Sequence, residues 1–182
     1  ISTTADSTTH GFKCPPPGVA RFYGSTSERG TNMGILSGNP KEEPMHYGEI
    51  FDVWAFSMKA KNTIAYYQAF LNHAGDEDLR QLIRDLIEQA QLEVKECDAL
   101  LSENGIAPAP TPPAKPKAKL EDIPAGARFT DPEIAAAVAA DLALGLMACS
   151  QIIGKCVRED IAALFAKYHN TKLSMSTRSL KM

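Results

Sequence analysis

The stretch "APAPTPPAKPKAKLEDIP", residues 107–124, divides the chain in two. Proline has no amide hydrogen and its ring clashes with the preceding turn, so this stretch is neither helix nor central strand. It is expected to run extended, at roughly 3.1 Å per residue in polyproline II. The connection of about 107–129 then reaches as far as a helix of about 28 residues, about 42 Å. A surface connection of that length is unusual inside a compact domain. A topological role accounts for it, in which it carries the chain from one end of a bundle back to the other.

On each side of the connection the pattern is helical. Upstream, "HYGEIFDVWAFSMKAKNTIAYYQAFLNH" carries Ile50, Trp54, Met58, Ile64 and Phe70 at spacings near 3.6, with Pro44 ahead of it and Gly75 behind. Asp76 is placed to cap a second helix, whose apolar stripe is Leu79, Leu82, Ile83, Leu86, Val94, Cys97 and Leu101. Gly105 suits its left-handed closing position. Downstream, "TDPE" reads as a capping box, with Thr130 as cap, Pro132 in the first turn and Glu133 reaching back. Beyond Pro132 the chain has no proline, and pattern alone would permit one helix of about 75 Å.

An internal echo argues for a break in that helix. "HAGDEDLRQLIRDL" (73–86) and "KCVREDIAALFAKY" (155–168) both run from a polar break through Glu-Asp into an apolar period. Aligning Asp78 with Asp160 lays Leu79, Leu82, Ile83 and Leu86 over Ile161, Leu164, Phe165 and Tyr168. The break therefore belongs near Lys155–Arg158, and a hairpin over 46–104 is repeated by another over 131–182. Two helical hairpins joined by one long Pro-rich crossover give an all-α, ferritin-like four-helix bundle with helices 2 and 3 parallel. Its expected core is Trp54, Met58, Ile64, Leu79, Leu82, Leu86, Leu101, Ile134, Val138, Leu142, Ile152, Leu164 and Phe165.

The 182 residues suit one domain with tails, read as an extension over 1–32, rich in Ser, Thr, Gly and Pro, and a bundle over 33–182. Met33 reads as a natural start, which would make 1–32 extraneous to the fold. A net charge of −3 gives no general attraction to nucleic acid or an anionic membrane. Cys14, Cys97, Cys149 and Cys156 show no CxxC or zinc spacing and read as small apolar residues in a reducing compartment.

A four-helix bundle of this topology raises the question of a di-iron centre, which takes a carboxylate from each first helix and a Glu-x-x-His from each second. Helix 1 has no acidic residue from Val53 to Gly75; helix 2 offers Glu88 with Gln91 where His belongs, helix 3 offers Asp141, and helix 4 offers His169. Glu88, Asp141 and His169 are thus weak metal candidates, and no metal, cofactor or catalytic residue is expected; the alternative they leave open is a metal-binding ferritin-like oxidase or storage protein with an irregular site. The repeat instead sets Lys59 over Asp141. A Lys59–Asp141 pair would put a side-chain charge where such a centre holds its metal, fixing register more than adding stability; the alternative places Asp141 at a solvated edge. His46 and Glu49 lie one turn apart at the start of helix 1 and read as helix-end electrostatics. His73 sits by the turn and His10 in the tail, and GxSxG, P-loop, GxGxxG and HExxH motifs are absent.

"IAAAVAADLALGLMACSQII" (134–153) approaches a membrane span in length. Asp141 and Gln151 interrupt it, and an Asp near the centre costs roughly 2.5–3.5 kcal/mol on insertion. The expectation is no span. This should be the most buried helix of the bundle, or one that also forms a homodimer interface.

Taken together, "MHYGE" (45–49), "HAGDEDLRQLI" (73–83), "LLSENGI" (100–106) with its Pro-rich crossover, and "DPEIAA…CSQIIG…REDIA" resemble a family of proteins from endospore-forming bacteria. That family is ferritin-like in fold and related to spore-coat proteins of the coat-F type. The resemblance covers about 33–182. It implies a non-catalytic structural bundle, sited in the spore coat or the mother-cell cytoplasm, with a second copy or other coat proteins as partners. It also implies that helix 4 continues beyond Met182 in the native chain.

Overall fold

A computed structural model describes residues 43–181, so the readings made for 1–32, including Cys14 and His10, and for Met33 lie outside the described residues. Four helices appear there, α1 (Tyr47–His73), α2 (Glu77–Glu103), α3 (Asp131–Lys155) and α4 (Glu159–Ser179), and the described residues contain no strand. The chain is all-α, a four-helix bundle of two hairpins. Each boundary has a local cause. The Asp76 carboxylate accepts the Leu79 amide at 2.8 Å to start α2. Gly105, at φ 76°, closes that helix in the left-handed region. Glu133 accepts the Thr130 amide at 2.7 Å to start α3. The Lys155–Arg158 break falls where the repeat sets it, with Cys156 ending α3 and Arg158 preceding α4.

The crossover runs along α1. Lys61 Nζ donates to Ala109 O (2.5 Å), Gln68 Oε1 accepts from Lys115 N (2.8 Å), and the Asn72 amide holds Pro116 O (3.0 Å) and Ala118 N (3.1 Å). Two short 3₁₀ turns, Leu120–Asp122 and Ala125–Ala127, then lead to α3. The Asp131 carboxylate accepts the amides of Gly75 (2.8 Å) and Asp76 (3.0 Å), so α3 starts beside the start of α2. Helices 2 and 3 are therefore parallel, and the crossover spans the bundle.

The opposite end repeats this joint. Glu49 accepts the amides of Val157 and Arg158, both at 2.8 Å. Glu49 and Asp131, Gly75 and Val157, and Asp76 and Arg158 are each 82 residues apart, the same offset as Asp78 and Asp160. Each hairpin thus inserts an acidic side chain from the start of its first helix into the turn of the other. The weak sequence echo is a structural repeat, tied by reciprocal contacts.

The core on α1 is not the expected one. Val53, Phe56, Ala60 and Tyr67 are buried, whereas Met58 is exposed and Trp54 and Ile64 are only half-buried. The inward face also carries Glu49, Ser57 and Lys61, each at most 4% exposed. Polar residues on the buried side and Phe51 and Tyr66 on the exposed side erase the apolar period that the sequence reading depends on. On α4, Phe165 and Tyr168 are buried and Leu164 half-buried. The other expected core residues are buried.

The α3 expectation also needs correction. It is not the most buried helix: only 28% of its most apolar window is buried, although by length and composition it could cross a membrane. Ala/Gly-rich sequence makes every face apolar, so composition alone could not show which face the bundle covers. Ile134, Val138, Leu142, Gly145, Cys149 and Ile152 face inward, while Leu144 and Met147 are 56% and 67% exposed.

Candidate functional site

Two apolar clusters fill the bundle ends. One gathers Val53, Phe56, Cys97, Leu101, Cys149, Ile161, Phe165 and Tyr168. The other gathers Tyr67, Leu79, Leu82, Ile83, Leu86, Ile134, Val138 and Leu142. By helix position a polar layer separates them, and each helix contributes one charge to it. Lys59 of α1 lies 3.1 Å from Asp141 of α3. Lys172 of α4 lies 2.8 Å from Glu93 of α2, with the Glu93 side chain 2% exposed.

Neighbouring groups complete these pairs. Tyr67 Oη donates to Asp141 at 2.8 Å, and Gln89 Nε2 donates to Glu93 at 3.1 Å. The Lys172 ammonium also stands 5.6 Å from the centroid of the Phe56 ring, a cation–π distance. Its alkyl chain passes over Gly145, where an added Cβ would come within 2.9 Å of Lys172 Cδ. The space among these side chains is about 30 Å³, room for a water molecule and far short of an organic ligand. Burial, with the Asp141 charge second, raises the Tyr67 hydroxyl far above the ordinary phenol range, so it stays a donor.

Further polar contacts flank this layer. Tyr168 Oη donates to Glu96 at 2.8 Å, and Lys167 approaches the same carboxylate at 2.6 Å. Ser57 and Lys61 both hold Asp98, at 2.6 and 2.7 Å. At the α3–α4 turn the buried Arg158 guanidinium joins Asp160 (2.6 Å), Asn104 Oδ1 and Glu43 O (both 3.1 Å). Burial acts to raise the Glu49 carboxyl, and the amides of Arg158, His46 and Val157 outweigh it, leaving the group below its usual range. Among the described residues, burial pushes the Cys97 thiol up to about 12 and those of Cys149 and Cys156 up to about 11, which disfavours their thiolates at neutral pH.

The three metal candidates are not brought together. Glu88 is exposed on α2, His169 is half-buried on α4, and Asp141 is engaged by Lys59 and Tyr67. Among the described residues no three His, Cys, Asp or Glu side chains form a group that could hold a metal ion. Sequence reasoning missed Glu93 and Lys172. Glu93 was nonetheless detectable as a charge inside the apolar stripe Leu86, Ala90, Cys97 and Leu101. Lys172 was detectable in the same way, as a charge in register with Ile161, Phe165, Tyr168 and Met175, and its side chain is only 15% exposed.

Residues 33–182, which include all four helices, match the family model described as "Protein of unknown function (DUF3231)". The chain belongs to the DUF3231 family. It is 48% identical over 150 residues to the "Uncharacterized protein YvdQ" of Bacillus subtilis (strain 168), which covers 82% of this chain and 88% of YvdQ. The DUF3231 bundle also resembles the crystal structure of "a putative spore coat protein" from Bacillus halodurans. The TM-score is 0.78 at 46% identity, over 79% of this chain and 90% of that one.

Proposed function

We propose that the chain is a non-catalytic structural protein of ferritin-like descent that associates with a second copy of itself, and with other coat proteins, in the spore coat or the mother-cell cytoplasm. One observation carries this reading: the centre of the bundle holds two lysine–carboxylate pairs, one charge from each helix. In ferritin-like di-iron proteins that region supplies carboxylates and histidines from all four helices. Here two of the four groups are ammonium ions, which cannot ligate a cation while charged, and they occupy the two carboxylates. The similarity to the Bacillus halodurans protein described as "a putative spore coat protein" supports the location.

Self-association is supported by the surface of α3. Ala137, Ala140, Leu144 and Met147 are exposed on it, and the Asp52–Lys155 and Lys59–Asp141 pairs join it to α1. Phe51 and Met58, each next to a residue of that seam, are exposed as well. Large apolar residues left exposed on two helices joined by such pairs favour an interaction surface. A second copy suits it better than a lipid bilayer, because Ala and Gly contribute little to insertion and Asp141 opposes it.

Sedimentation velocity at tens of micromolar, the range where weak interfaces begin to fail, is expected to show a dimer. Leu144→Lys with Met147→Lys should convert it to a monomer. A wild-type monomer, or a wild type soluble only in detergent, contradicts the self-association reading. Anaerobic Fe(II) loading tests the rest: well below one iron per chain is expected, and about two irons per chain would restore a metal-binding function.

A further inference from the structure

A cleft of about 650 Å³ lies between the crossover and the end of the α1–α2 hairpin. Its lining contains Lys115, Lys117, Lys119, Arg80 and Arg84, together with His73, and no Asp or Glu. The chain as a whole carries a net charge of −3, so this is a local reversal of sign. Glu77 offsets part of the arginine charge through its contacts with Arg80 (3.5 Å) and Arg84. The three lysines form no salt bridge with any described residue, and all three are exposed.

The lysines stand on a fixed support. Gln68 holds the Lys115 amide, and Asn72 grips Pro116 O and Ala118 N, so α1 clamps the backbone on each side of Lys117. Pro116 further restricts the strap. Ordering the chain beforehand lowers the entropic cost of gathering several cations on one ligand. The Arg80 guanidinium is held in the same way by Leu71 O and Ala74 O, both at 2.8 Å. His73 also lines the cleft, where its Nδ1 donates to Ala69 O at 2.8 Å and its ring packs edge-on against Phe129. The volume falls in the range of small-molecule sites, about 300–1,000 Å³.

We infer that this cleft binds a small multivalent oxyanion, a polyphosphate or polycarboxylate, between the crossover lysines and the α2 arginines. The site lies outside the central charge layer and does not depend on the structural reading. A solubilising role for the lysines needs neither a cleft nor a clamped strap.

Calorimetric titration of the full chain with pyrophosphate and with citrate, at a constant ionic strength of about 0.15 M, tests the inference. Saturable one-to-one binding is expected with Kd at or below about 1 mM. Lys115→Gln/Lys117→Gln/Lys119→Gln should weaken it at least tenfold with the circular dichroism unchanged. Lys117→Glu alone serves as an independent variant and should weaken it by a similar factor. The ¹⁵N signals of His73 should shift along the same binding curve. Tighter pyrophosphate binding assigns a phosphate ligand, and tighter citrate binding a polycarboxylate. No saturable binding of either probe, affinity unchanged in both lysine variants, or His73 signals that stay fixed while heat is released would each overturn the proposal.

Discussion

At the scale of single residues, stability rests on charges that burial makes expensive unless they are paired. Glu93 is 1% exposed, and Lys172 and Gln89 are its partners. Removing one member of a buried ion pair typically costs about 3–5 kcal/mol, because the other is left charged and unsolvated. Lys172→Met should cost that much in urea unfolding, and adding Glu93→Gln should recover most of it; full additivity of the two losses would show that the residues do not interact. Glu49 gives a pH signature. Its folded-state pKa lies below the ordinary 4.5, so its contribution is fully present above about pH 4.5 and is lost as pH falls through the lowered value. Glu49→Gln should therefore be less stable than wild type at pH 7, with a smaller further loss on going down to pH 3. Parallel stability curves for the two proteins over that range would contradict this.

At the scale of helices, α3 shows how local propensity and packing oppose each other. Gly145 is buried beneath the Lys172 side chain, while a Cβ at Gly154 would meet nothing within 4 Å. Exchanging Gly for Ala in a helix interior gains up to about 1 kcal/mol from propensity alone. Gly154→Ala should realise part of that gain and raise the melting temperature. Gly145→Ala should lower it, because Lys172 must leave its position between Glu93 and the Phe56 ring. A rise in both variants would mean that the lysine moves freely and the layer is loosely held. The thermal shift of the pair, measured side by side, separates the two cases.

At the scale of the whole molecule, topology follows from the crossover and the reciprocal joints. Asn104 ends α2, and Asp131 begins α3 beside Gly75, at the other end of the bundle. Spin labels at Asn104 and Asp131 should be about 35–45 Å apart, the span of the 27-residue α2 at about 1.5 Å per residue. An up-down-up-down bundle would set them about 10–15 Å apart, the spacing of neighbouring helices. A short distance would remove the parallel pairing of α2 and α3. It would also break both joints at once, since Glu49 and Asp131 could not reach the opposite turns.

The sequence by itself determined the helices, their ends and their connectivity. Proline density, the Asp76 cap, Gly105, the Thr130–Glu133 box and the Asp78/Asp160 echo act through local backbone chemistry that needs no partner element. The same repeat set Lys59 over Asp141, and these lie 3.1 Å apart. What only the tertiary structure decided is which face of α1 turns inward and which face of α3 stays bare. On α1 the buried side gives positions to Glu49, Ser57 and Lys61, so hydrophobic period is a poor guide there. On α3 nearly every position is apolar, so any face could have been covered. The partners of Glu93 and Arg158 were hidden for a related reason: a buried charge is chosen to suit groups distant in the chain, and only the packed helices bring those groups within reach.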